Sequence, residues 1–281
     1  MGFEAKKAAG AGPNRRIGVL CFKWGTAYKS EYVNLLFRAV TDCLSYEHEF
    51  VCVTDDSAGL DAGISCAPLK IENLPEDMRR KGMWQKLYMY NPDISGKFDI
   101  VLYLDLDVVI TGKLDKLVDI LEEKDGFYMV PRGIPFGWRL LPEFLRPRRT
   151  GNSSVLVFRP ADQKHIYEEF HPSHKSKLLY NDERYASIKS RGYCTFPRKW
   201  TPIFKQVGVY PWPWSLAIKS YRKKSKDALV FVFNGTPNPT DVIDPDVGWW
   251  GTKRRWGYGP VDWVQEYWEK YSDTSKDNSN P

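Results

Sequence analysis

The pattern that most constrains this chain lies near its start: an apolar run, a stretch with helical spacing, and a second apolar run. Ile17–Phe22 is uninterrupted by charge and reads as a buried strand. Ser30–Leu44 sets Val33, Leu36, Phe37, Val40 and Leu44 on one helical face, and Glu49–Thr54 reads as a second strand ending on Asp55 and Asp56. A helix that carries the chain back between two strands makes them parallel. In open sheets of this kind ligands meet the loops at the C-terminal strand ends. A further helix around Lys81–Tyr90 and a strongly apolar strand over Asp99–Val109 complete an α/β nucleotide-binding half over residues 16–110. The acceptor-side half, 111–270, is less regular. It holds a Pro/Arg-rich stretch from Pro131 to Thr150, strands at Ser154–Phe158 and Ala228–Phe233, a helix near Asp162–Phe170, and an aromatic, basic C-terminal region. A chain of 281 residues can bury one core of this type as a single domain. Residues 1–15 and 271–281 read as a disordered leader and tail.

Composition narrows the partners. No window approaches the roughly 18 apolar residues of a spanning helix. The first residues have neither an apolar signal core nor the Ser/Thr that myristoylation needs, so the expected location is cytoplasmic. The five cysteines form no CxxC pair and read as free thiols. The formal charge is +6, and its basic residues cluster at Arg79–Lys81, Arg146–Arg149, Arg222–Lys226 and Lys253–Arg255. Such clusters favour an anionic partner: a nucleotide diphosphate, an acidic glycan or an anionic membrane surface. Nucleic acid is not expected, because no supporting module accompanies the charge.

The run Ile100–Leu104 leads directly into Asp105, Leu106 and Asp107. On an extended chain residues i and i+2 share a face, about 7 Å apart at Cα, so both carboxylates can approach one cation. No basic residue lies between 98 and 112, and a bound cation is the simplest compensation for two acids beside a buried strand. All-oxygen ligands suit Mn²⁺ or Mg²⁺ completed by phosphate oxygens and water. D-x-D triplets also arise by chance, and Asp244-Pro245-Asp246 reads as a solvated loop of that kind.

From Ile17 to about Trp268 the chain resembles the glycogenin-like and bacterial galactosyltransferase-like retaining glycosyltransferases of the GT-A fold, family 8-like. The resemblance rests on Tyr103–Ile110 with Gly112, Leu114 and Asp115, on Lys23–Tyr28, Thr54–Asp56 and Met83–Leu87, and further on Asn152–Phe158, Asn181–Tyr185 and Phe233–Pro239. It implies a Rossmann-like open mixed sheet flanked by helices and a metal-dependent transfer of sugar from a nucleotide-diphosphate sugar to a glycan, glycolipid or other hydroxyl acceptor, with retention. By resemblance Lys23, Thr26 and Tyr28 sit by the nucleotide, Asp55 binds base or ribose, and Lys86, Asp105 and Gly235 belong to the donor site. Asn152, Asp182 and Glu183 would contact the transferred sugar or the acceptor. Each residue also has a local alternative. Tyr28 can start a helix, Asp55 can cap a turn, Asn152 can serve a turn, and Lys86, Asp182 and Glu183 can lie on solvated faces.

The chain departs from the family at Asn234, where the family has a metal-ligating histidine, and at Asn238, where it has a diphosphate-binding lysine. Asn234 is expected as a weaker third metal ligand, with Lys253, Arg254 and Arg255 as sources of replacement charge. Phe136, Trp138 and the three arginines Arg146, Arg148 and Arg149 suit an acceptor-side loop. Trp212, Trp214, Trp249, Trp250, Trp256 and the neighbouring basic residues fit weak, peripheral contact with the inner face of an anionic membrane. They equally fit core tryptophans beside active-site charges. Two other functions stay open at this level: a nucleotidyltransferase or pyrophosphatase, and a nucleotide-sugar-binding module with weakened catalysis.

Overall fold

The computed structural model describes residues 15–70, 74–76, 78, 83–133, 141–145, 150–174, 181–210, 214, 218, 220–252 and 255–272. Strand β1 (Ile17–Lys23) is buried along its whole length. Helix α1 (Ser30–Cys43) then packs Val33, Leu36 and Val40 inward and returns the chain to β2 (His48–Thr54). The two strands run parallel, from Ile17 opposite His48 to Lys23 opposite Thr54, as the crossover requires.

Beyond β2 come β3 (Ser65–Pro68), a 3₁₀ helix over Met83–Tyr90, β4 (Ile100–Leu104) and β5 (Val108–Ile110). Helix α2 (Asp115–Glu123) leads to β6 (Phe127–Val130) and β7 (Asn152–Phe158), then α3 (Asp182–Lys189) and β8 (Tyr193–Thr195). The chain closes with α4 (Phe204–Val207), β9 (Val230–Val232), the hairpin β10 (Trp249–Thr252) and β11 (Arg255–Tyr258), and α5 (Asp262–Tyr271). A seven-stranded mixed sheet has the order β3-β2-β1-β4-β7-β6-β8, with one apolar cluster on each face. It is the open, helix-flanked α/β sheet expected from the sequence.

Several local expectations change. The strand expected over 99–109 is broken in two. β4 stays in the main sheet beside β1 and β7, whereas β5 pairs antiparallel with β9, Val108 opposite Val232. Asp105, Leu106 and Asp107 therefore form the turn between two sheets rather than the end of one extended strand. The break buries Leu106 while leaving both flanking carboxylates partly accessible, which a flat strand between covered faces could not do. The helix expected around 81–90 is a 3₁₀ helix with Trp84, Leu87, Tyr88, Met89 and Tyr90 all buried. The helix expected near 162–170 is two short helical turns, Pro160–Gln163 and His165–Glu168.

At the termini, Arg15 is ion-paired to Glu122 at 3.1 Å, and Tyr271 closes α5 with its hydroxyl 2.6 Å from Asp42 Oδ2. Both residues thus belong to the folded part. Asp244 and Asp246 lie in an exposed turn, as expected of a chance D-x-D. Among the described residues no helix is long and apolar enough to cross a membrane.

Candidate active site

Strand direction decides which side chains meet. β1, β2 and β4 are parallel, so Lys23, Asp55 and Asp105 follow their C-terminal ends at one edge of the sheet. β7 runs antiparallel to β4, which brings its first residue, Asn152, to the same edge; the Asp105 N–H donates to the Ser154 carbonyl at 2.9 Å. β6 is antiparallel to β7 and ends there too, with Arg132 just beyond it. The sites expected from scattered stretches of sequence are neighbours because of this topology.

Lys86 reaches from the 3₁₀ helix to Asp105, Nζ to Oδ1 at 2.6 Å, and the two side chains are only 17% and 15% exposed. The Tyr103 hydroxyl donates to the same carboxylate oxygen. Lys86 is therefore no solvated-face lysine. It also supplies compensation that the 98–112 window lacked. Burial works against its charge, but Asp105, Asp182 and Asp107 around it hold its pKa above the usual lysine value. Asp107 is treated differently. Its Oδ1 is buried with no hydrogen-bond partner among the described residues. Burial first, then the charge of Asp105, push its pKa up to about 7 against the pull of Lys86 and a hydrogen bond from Tyr28.

The second acidic pair opens α3. Asn181 caps this helix, its side chain accepting from Arg184 N at 3.0 Å. Glu183 collects donors: Asn152 Nδ2 at 2.8 Å, Ser153 N at 3.2 Å, Asn181 Nδ2 at 3.4 Å and the Arg132 guanidinium. Asp182 is buried, with Ser153 Oγ 3.4 Å from its Oδ2. Burial, together with Glu183 and Asp105, raises its pKa to about 7 although Lys86 opposes the rise. Neither acid lies on a solvated helix start. Asn152 begins β7 as a buried strand residue, not a turn, and its Oδ1 accepts from Ser154 N at 3.1 Å.

At the C-terminal ends of β1 and β2, Lys23 is buried and donates to the Asp56 carbonyl at 2.9 Å, tying the β1 and β2 loops together. Asp55 Oδ2 accepts from Gly25 N at 3.0 Å, and Gly25 holds φ +59, a left-handed conformation that favours glycine. Thr26 is exposed in that loop. Tyr28 precedes α1 rather than starting it. Its ring meets Tyr32 edge-on at 5.1 Å, and burial and the Asp107 charge raise its hydroxyl pKa. The Asn234–Gly235 loop arrives from the other direction: Phe233 N donates to the Asp107 carbonyl at 3.1 Å. Gly235 is exposed with φ +73. The Lys205 ammonium donates to the Asn234 carbonyl and lies 3.4 Å from its Oδ1.

Asn238 is consumed locally. It caps the turn Pro239–Val242, and its N–H donates to Asp241 Oδ2 at 2.8 Å. Lys253, Arg254, Phe136, Trp138 and Trp212, and the side chains of Arg255 and Trp256, lie outside the described residues. Of the remaining tryptophans, Trp250 is buried whereas Trp214 and Trp249 are 64% and 51% exposed. Arg132, Tyr103, Ser153 and Lys205 are neighbours of the site that sequence windows did not single out. Only Arg132, a base immediately after a strand that ends at this edge, carried a signal that could have found it.

No family model and no curated protein matches the chain. Solved structures do. A galactosyltransferase LgtC in complex with donor and acceptor sugar analogues superposes with TM-score 0.56 and 14% identity, covering 92% of this chain and 98% of that one. An active-site mutant of LgtC gives TM-score 0.53 at 14% identity over 79% of this chain and 89% of its own. The bifunctional glycosyltransferase WbbM gives 0.51 at 13% identity over 84% of this chain and 48% of its own. The chain has the GT-A fold. At these identities the likeness establishes architecture; activity is argued from the site.

Proposed function

We propose that this protein is a metal-dependent glycosyltransferase that moves a sugar from a nucleotide-diphosphate sugar to a glycan, glycolipid or other hydroxyl acceptor, with retention. The observation that carries the reading is the convergence of two acidic pairs, Asp105/Asp107 and Asp182/Glu183, with Lys86 between them, at the ligand-binding edge of a glycosyltransferase fold.

The residues fit a divalent cation. Asp107 offers a buried oxygen without a donor among the described residues, and burial and the Asp105 charge raise its pKa more than Lys86 lowers it, which a bound cation would offset. Among the described residues no three His, Cys, Asp or Glu side chains converge on one point. Asp105 and Asp107 would hold Mn²⁺ or Mg²⁺, with the Asn234 amide as a further oxygen and phosphate oxygens filling the shell. Such an ion supplies Lewis-acid stabilisation of charge on the departing diphosphate.

The protein's own groups divide the remaining work. Lys86, fixed on Asp105, holds positive charge where the leaving group accumulates negative charge, and being preorganised it needs no rearrangement during the reaction. Tyr28 and the Lys23–Asp56 link shape the nucleotide side, and Asp55 holds the Gly25 turn. Glu183 is saturated with donors and positions Asn152 and Arg132 at the acceptor side. Asp182, less well solvated by the protein, is the carboxylate placed to meet the transferred sugar or the acceptor hydroxyl.

The test is a panel of nucleotide-diphosphate sugars assayed by mass spectrometry for transfer and hydrolysis, with Mn²⁺ and with chelator. One donor should be consumed only with metal. Release of pyrophosphate without sugar transfer would overturn the reading in favour of nucleotidyl chemistry. Tight donor binding with neither transfer nor hydrolysis would leave a binding module.

A further inference from the structure

Among the described residues Lys86 is the ammonium paired with the acids of the proposed donor site, bound to Asp105 at 2.6 Å. A diphosphate adds further negative charge beside Asp105 and Asp107, and a second cationic side chain there would add to the stabilisation that Lys86 and a bound metal supply. Asn238 does not provide it, since its amide carries no charge and its N–H is used by Asp241 in the turn Pro239–Val242.

The segment that reaches the side opposite Lys86 is Pro202–Lys205. Ile203 forms a parallel bridge to Val232, and Val232 N donates to the Pro202 carbonyl at 3.0 Å, so the segment runs along the free edge of β9. The other edge of β9 is paired with β5, whose first residue follows Asp107. The three segments form a narrow strip with spacings of about 4.8 Å. At its end lie, in order, Asp107, the Phe233–Asn234 backbone and the Lys205 side chain.

Aromatic packing fixes that order. The buried Phe204 ring stacks on Phe233 with centroids 4.2 Å apart and planes 15° from parallel, and it also meets Trp250 at 5.4 Å and Trp263 at 5.9 Å. α4 is a single turn, too short to hold its own geometry in water. These rings hold it, and they deliver the ammonium of the next residue to the Asn234 carbonyl. A lysine needs no such anchorage to decorate a surface.

Building on the donor-site reading above, we infer that Lys205 is a diphosphate-binding residue, its ammonium meeting the terminal phosphate of the nucleotide diphosphate from the side opposite Lys86. The Asn234 carbonyl orients the ammonium, and the phosphate is a further, charged acceptor for the same three-donor group. The positive charge that the resemblance leads one to look for at Asn238 is thus supplied from α4.

Two substitutions separate this role from a buttress. Lys205→Gln removes the charge but keeps an N–H donor, one bond shorter, toward the Asn234 carbonyl, and Lys205→Arg keeps charge and donor. The full chain is titrated calorimetrically with uridine, guanosine, adenosine and cytidine diphosphates in Mn²⁺, then with the monophosphate of the nucleoside that binds best. Lys205→Gln should weaken the diphosphate about tenfold or more, leave the monophosphate within about twofold and unfold near the unaltered protein's temperature; Lys205→Arg should recover most of the loss. Equal weakening of both nucleotides, or a loss that Lys205→Arg does not restore, would make Lys205 a structural prop and overturn the inference. So would undiminished diphosphate affinity in Lys205→Gln. If the unaltered protein binds none of the four diphosphates, the donor-site reading itself falls, and this assignment falls with it.

Discussion

The two acidic pairs are built on the same plan by different means. In each, one carboxylate is covered with donors and its neighbour is left nearly bare. Asp105 receives Lys86 and Tyr103, and Glu183 receives Arg132, Asn152, Ser153 and Asn181. Asp107 and Asp182 receive little, and burial lifts both to about 7. The surroundings differ. Asp107 lies in a turn between two sheets, where its own backbone N–H favours its charge but no helix dipole does. Asp182 is the first residue of α3, where the helix dipole favours a carboxylate, and its pKa rises nonetheless. Desolvation therefore outweighs the dipole at this helix start. Each pair thus presents one fixed anion and one adjustable acid, which suits the cation and sugar binding proposed for this site.

Removing the plan at the first pair should have the largest effect. Asp105→Asn or Asp107→Asn is expected to lower transfer by at least about 100-fold while the far-ultraviolet circular dichroism spectrum stays unchanged, because a neutral amide supplies no charge to hold the leaving group's counter-ion. A folded Asp107→Asn variant with ordinary turnover would break the parallel between the pairs.

The second pair is sharpened by stability rather than rate. Glu183→Gln should cost about 2 kcal/mol in urea unfolding, since it strips the charge from a carboxylate with several donors, one of them a guanidinium. Asp182→Asn should cost far less. Equal losses at the two positions would mean that both acids are structural.

The smallest effect separates charge from contact. Asp107 and Asp182 have folded pKa values of about 7, above the ordinary 3.8, so between these values the native state holds protons that the unfolded chain has released. Their contribution to stability is full below about pH 4 and is lost as pH rises through about 7. In chelator, the unfolding temperature should therefore fall by a few degrees between about pH 5.5 and 8, a range set by the linkage relation. Asp182→Asn should flatten that slope, and an unchanged slope would show that its carboxyl titrates normally.

What could be read from the sequence follows from how locally each feature is encoded. β1, α1 and β2 were legible because burial on both faces or on one stripe writes itself into successive residues. Asp105 and Asp107 were found for the same reason, as charges ending an apolar run. The break between β4 and β5 was not, because Val108–Ile110 looks the same whether it extends β4 or pairs with the distant Val230–Val232 of β9. Lys86 was picked out only by resemblance. Its bond to Asp105 spans 19 residues and lay beyond any window drawn around the acids. Lys205 left no mark at all, since its position depends on Phe204 stacking on Phe233, a contact between two phenylalanines that any core could contain. The exposed Trp214 and Trp249 beside the buried Trp250 show the same limit: composition lists rings and does not sort them.

The pairing of β5 with β9 also sets a schedule for synthesis. Asp105 takes its place once β4 and β7 have met, but Asp107 is fixed through its carbonyl by Phe233, which leaves the ribosome more than a hundred residues after it. A growing chain that has completed most of its main sheet still lacks the strand that sets the spacing of its two carboxylates. Contacts this distant in sequence close late. The two carboxylates therefore reach their final spacing only when nearly all of the chain has emerged, and a chain cut short before residue 230 would lack both β9 and the C-terminal residues that cover one face of the sheet.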